Sequence, residues 1–132
     1  MKRLTTMNNR FIFYNPNPHS NRVGDCAVRA LCKATGKSWD YVHTALCAIS
    51  NADGNMPSAN VVWGKFLKIN GFHRYLIEES SKERYTVRDF CDDHPEGTYI
   101  LAIDGHIVCV DSGCYFDTWD SGEEEPIFYW VR

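Results

Sequence analysis

Cys26 lies in Gly24-Asp25-Cys26-Ala27-Val28-Arg29-Ala30-Leu31, where turn-forming residues run directly into an apolar helical pattern. A helix opening there directs free backbone N–H groups and the positive end of its dipole at the sulfur, which favours thiolate over thiol. Eighty residues later, His106 falls in the strand-like run from Tyr99 to Asp111. A thiol and an imidazole delivered in this way are a candidate nucleophile and its base.

A third member is available on the next strand. A short turn at Asp111-Ser112-Gly113 folds the two strands into a hairpin that sets His106 opposite Asp117 or Thr118. Directly opposite residues have Cβ atoms roughly 4.5 to 5.5 Å apart, within reach for a carboxylate to accept the imidazole Nδ1 proton. Asp120, near the strand end, is the alternative orienter. Such a set suits acyl transfer: the thiolate attacks a carbonyl, the imidazolium protonates the leaving amine, and water activated by the same ring hydrolyses the thioester. The Cys26 backbone N–H is the nearest donor for the oxyanion, and Asn21, five residues earlier, is a side-chain candidate. Gly105 before His106 suggests a close approach by a neighbouring segment.

The elements that must position these residues follow from periodicity. Ala27, Ala30, Leu31 and Ala34 repeat at helical spacing, and Gly36 closes the pattern. Ser38 caps a second helix carrying Trp39, Val42, Leu46 and Ile49, and a third begins near Ser58 and stops at Gly71. A short strand is expected between Phe72 and Glu78, and Thr86-Val87-Arg88-Asp89 has the form of a capping box. From Thr98 the pattern becomes strand-like at 99–103, 107–110, 115–119 and 127–131. Helices followed by a meandering sheet is an α+β layout, with four to five antiparallel strands expected.

With 132 residues and 44% apolar composition, the chain builds one core, so residues 1–132 are read as one domain. A net charge of −3 without a basic block gives no reason to expect nucleic acid. The first ten residues lead into no apolar stretch of signal-peptide length, and no run approaches membrane-spanning length. The six cysteines are read as reduced, several being on apolar faces, which points to the cytoplasm. Cys91-x-x-His94 with Cys109 and Cys114 lacks a zinc-knuckle arrangement, and Asp53-Gly54-Asn55 lacks the context of a phosphate loop. No metal or cofactor is expected.

Gly24-Asp25-Cys26-Ala27 opening a helix, Gly105-His106-Ile107-Val108 on a strand and Asp117-Thr118-Trp119 on the next together resemble the papain-like cysteine peptidase superfamily, in the broad sense that includes small bacterial and phage thiol hydrolases. The resemblance implies an N-terminal helix carrying Cys26, packed on a C-terminal antiparallel sheet carrying His106 and Asp117. It also implies acyl transfer at an amide or isopeptide bond. Papain's oxyanion glutamine position, six residues before the cysteine, holds Ser20 here, with Asn21 out of step by one. The chain is too short for papain's second lobe, so any substrate groove is expected to use the loops at 16–23 and 51–57. The expected function is peptide or isopeptide hydrolysis through an acyl-thioester on a peptide or protein substrate, with a peptidoglycan stem amide as a further possibility. The alternative is a non-catalytic protein-interaction module on the same scaffold.

Overall fold

Local signals set the helix boundaries. In the computed structural model, which describes residues 10–78 and 84–132, α1 (Cys26–Thr35) ends at Gly36, where φ of +73° lets the glycine N–H turn back to the Cys32 carbonyl. Ser38 Oγ accepts the Tyr41 N–H at the start of α2 (Trp39–Asp53). The third helix, α3 (Asn60–Ile69), starts two residues past Ser58, with Ala59 at the cap position and no side-chain cap. Thr86 and Asp89 form a reciprocal capping box at the start of α4 (Val87–Asp93).

Among the described residues six strands form one sheet: β1 (Phe11–Phe13), β2 (His73–Leu76), β3 (Thr98–Ile103), β4 (His106–Asp111), β5 (Cys114–Asp117) and β6 (Phe128–Val131), in the order β1-β5-β4-β3-β6-β2. The α+β class holds, but the sheet is mixed rather than antiparallel. The N-terminal run Phe11–Phe13 joins it parallel to β5, pairing Phe13 with Asp117, and the Tyr14 N–H continues the contact to the Asp117 carbonyl at 2.9 Å.

Both faces of the central strands are covered, so β3 and β4 read as almost continuous apolar runs. On one face Ile100, Ala102, Ile107 and Cys109 pack with α1, α2 and α3 around Leu31, Val42, Trp63 and Leu67. On the other Leu101, Val108, Val110 and Tyr115 pack against Val87, Phe90 and Cys91 of α4. The first helix lies over β4, next to the strand that begins with His106. Among the described residues, no helix is long and apolar enough to cross a membrane.

The β4–β5 hairpin differs in register from the sequence expectation. Asp111 is not part of the loop but the last residue of β4, paired with Cys114, and the turn is Ser112-Gly113 alone, with φ of +53° and +77°. Positive φ at both central residues is the tight-turn solution matched to strand twist. The pairs run Asp111 with Cys114, Val110 with Tyr115 and Cys109 with Phe116. Extended, that register sets His106 opposite Trp119 and leaves Asp117 as its diagonal neighbour, two residues away and still within reach.

Candidate active site

Cys26 is the first residue of α1, after Asp25 at the cap position. The Asp25 side chain makes no capping bond. Its carboxylate turns instead to Arg29 and to Trp39, whose Nε1 donates to Oδ2 at 2.9 Å. The helix start therefore keeps its N–H groups and positive dipole end for the sulfur. That sulfur accepts hydrogen bonds from the His106 side chain and the Ile107 backbone N–H. Burial pushes the thiol up, but these two bonds, with the charges of His106 and Arg29, outweigh it and hold Cys26 below the ordinary thiol value.

His106 Nε2 donates to Asp117 Oδ2 at 2.7 Å. The orienting bond is thus made by Nε2, not by Nδ1 as the sequence reading had it, which leaves Nδ1 for the sulfur. Burial opposes protonation of the ring, but its bonds to Asp117 and Cys26 and the charges of both raise His106 to about 9. The Trp119 ring lies 5.0 Å from the imidazole, tilted at 41°, as the extended register requires. Gly105 before the histidine holds φ of +72°, with nothing within 4 Å of where a Cβ would sit. The glycine serves the turn, not the close approach expected from the sequence.

Asp117 is 1% exposed and accepts four hydrogen bonds. His106 Nε2 and Ser121 Oγ, both at 2.7 Å, share Oδ2, while Arg29 Nη2 at 3.0 Å and the Thr118 N–H at 2.8 Å share Oδ1. Burial alone would raise the carboxyl, but the bonds to His106, Ser121 and Thr118 and the charge of His106 hold it well below the usual carboxylate range. Arg29, itself 4% exposed, bridges Asp117 and Asp25. The chain of contacts therefore runs from half-buried Trp39 through buried Asp25, Arg29 and Asp117 to half-buried His106 and Cys26.

Two other candidates lie outside this group. Asn21 is exposed, its carbonyl accepts the Asn15 Nδ2 donor at 3.0 Å, and it does not line the cleft at Cys26. Asp120 binds Arg88 at 3.0 Å, the Tyr115 hydroxyl and the Gly122 N–H, and so fixes the turn that presents Ser121 to Asp117.

The cleft over Cys26 and His106 encloses about 690 Å³. Its walls correct the expected groove: the loop at 16–23 contributes only Arg22 and Val23, and the loop at 51–57 contributes nothing. The start of α3, the β3–β4 turn and Trp119 take their place.

Sequence reasoning missed Arg29, Asp25 and Ser121. The opposite charges of Asp25 and Arg29, four apart and flanking Cys26, were the available signal. The six cysteines are free thiols. Burial pushes Cys32 and Cys91 up to about 12 and Cys109 further still, whereas Cys26 moves the other way. Among the described residues, no group of three or more His, Cys, Asp or Glu is arranged to hold a metal ion. Compared with protein-family models, with curated proteins and with solved structures, the chain matches none.

Proposed function

We propose that the protein is a thiol hydrolase of the papain-like kind that cleaves a peptide or isopeptide amide through an acyl-thioester. The observation that carries this reading is the hydrogen-bonded series from Asp117 through His106 to Cys26, at a helix start opening into a cleft. Asp117 keeps His106 protonated, and the imidazolium keeps Cys26 as thiolate. The sulfur attacks the substrate carbonyl carbon, and the Cys26 N–H at the helix start receives the developing oxyanion. Collapse breaks the C–N bond, and the His106 proton passes to the leaving amine. Water then loses a proton to neutral His106 and attacks the thioester carbonyl, releasing the acid and restoring the thiolate–imidazolium pair. Free thiols in all six cysteines agree with a reducing compartment such as the cytoplasm.

The test compares the parent chain with Cys26→Ala on peptide, isopeptide and muropeptide amides. Cys26-dependent release from a peptide or isopeptide is the expected result. Release from muropeptides alone overturns the choice of substrate, and no Cys26-dependent release from any class overturns the hydrolase reading.

A further inference from the structure

A second cleft, of about 410 Å³, meets the first across Asn60, Trp63 and Phe128, which line both. Lys65 and Lys68 of α3 and Arg74 of β2 line it, with Trp130 as an apolar wall. Helix and sheet approach closely here: a Cβ on Gly64 would lie 3.3 Å from the Trp130 ring. Three cations from two elements on one cleft stand out in a chain of net charge −3.

Lys65 is already paired with Asp53 at 2.7 Å. Lys68 and Arg74 have no carboxylate partner among the described residues, and the Arg74 guanidinium sits over the Phe128 ring at 5.1 Å. Of the described side chains lining the two clefts, Asp104 is the single carboxylate. Phe128, which lines both clefts, therefore holds one of these cations beside their common boundary. Among the described residues β2 also ends the sheet, so one edge pairs with β6 while no described strand pairs with the other, which can offer backbone groups to an extended chain.

We propose that this cleft is a subsite for acidic side chains, so that the substrate is an extended peptide carrying Asp or Glu close to the amide presented to Cys26. Cleavage of that amide rests on the hydrolase reading, whereas binding of the acidic segment does not. A peptide fits better than a nucleic acid: among the described residues this second cleft has two cations without a carboxylate partner, Lys68 and Arg74, beside an aromatic wall, too few for a track along a phosphate backbone.

The test uses the full chain with Cys26→Ala and fluorescently labelled peptides of one length, bearing Glu-Glu, Gln-Gln or Lys-Lys two to four residues from the amide. Anisotropy should give the tightest binding for Glu-Glu, with the preference shrinking as salt is raised. K68E/R74E in the same background should weaken Glu-Glu binding about tenfold with an unchanged melting temperature. Equal binding of Glu-Glu and Gln-Gln, or no effect of K68E/R74E, overturns the subsite, as does a single-stranded oligonucleotide that displaces the Glu-Glu peptide more effectively than unlabelled peptide does. Turnover by the parent chain separates the two ideas. A Glu preference without turnover sinks the hydrolase reading alone, and turnover without a preference sinks the subsite alone.

Discussion

Arg29 is the residue on which the site's charge balance turns. Two carboxylates and a guanidinium are buried together, and the positive charge between Asp25 and Asp117 is what makes their burial tolerable. Arg29→Met should therefore cost about 3–5 kcal/mol in a denaturant titration, because it leaves buried Asp25 without its cation and Asp117 with His106 alone. Asp117→Asn tests the next link. Without the carboxylate, His106 should fall from about 9 toward its ordinary value. The midpoint for Cys26 alkylation by iodoacetamide should then rise, and kcat on any substrate found should drop about a hundredfold. In the parent, that midpoint should lie below the ordinary thiol range, while Cys32 and Cys91, raised to about 12, react slowly. Mass spectrometry of the alkylated peptides checks both. Cys26, His106 and Asp117 were legible in the sequence because a helix start and two strands flanking a turn are local patterns. Arg29 was not, because its neighbours on α1 are apolar and its second partner is 88 residues away.

At the scale of elements, caps were readable and long-range pairing was not. Ser38, Thr86 and Gly36 act through bonds to residues three or four away, so their chemistry is written beside them. The three-residue strand β1 pairs in parallel with β5 across about a hundred residues, and no local pattern announces it. Of the two registers expected for the hairpin, the one with Asp117 opposite His106 missed by two residues and the one with Thr118 by one, because Asp111 resembles a turn residue yet pairs as strand. A shift of two keeps each side chain on its original face, which is why Asp117 still reaches His106. The β3–β4 turn depends on backbone conformation more than on packing. Gly105→Ala would place a Cβ at φ of +72° in open space, so it should cost about 1–2 kcal/mol without a steric clash. Urea denaturation gives that loss, and a site that stays intact should keep the Cys26 alkylation midpoint of the parent.

For the whole molecule, the coupled pair at the helix start defines a pH window. His106 is raised in the folded state, so its stabilising contribution is complete below its unfolded value of 6.5 and is lost as pH rises through about 9. Asp117 is lowered, so its contribution is present above the ordinary carboxylate range and is lost as pH falls through its depressed value. Cys26 is also lowered, which opens the thiolate–imidazolium state on the acid side, while deprotonation of His106 closes it on the alkaline side. The rate on a Cys26-dependent substrate should therefore trace a bell whose alkaline limb falls near pH 9 and whose acid limb lies below the ordinary thiol range. In Asp117→Asn the two limbs should move toward each other, since His106 loses its proton earlier and Cys26 ionises later. A parent profile that rises continuously through pH 9, or a bell unchanged in Asp117→Asn, would show that the pair does not control the reaction.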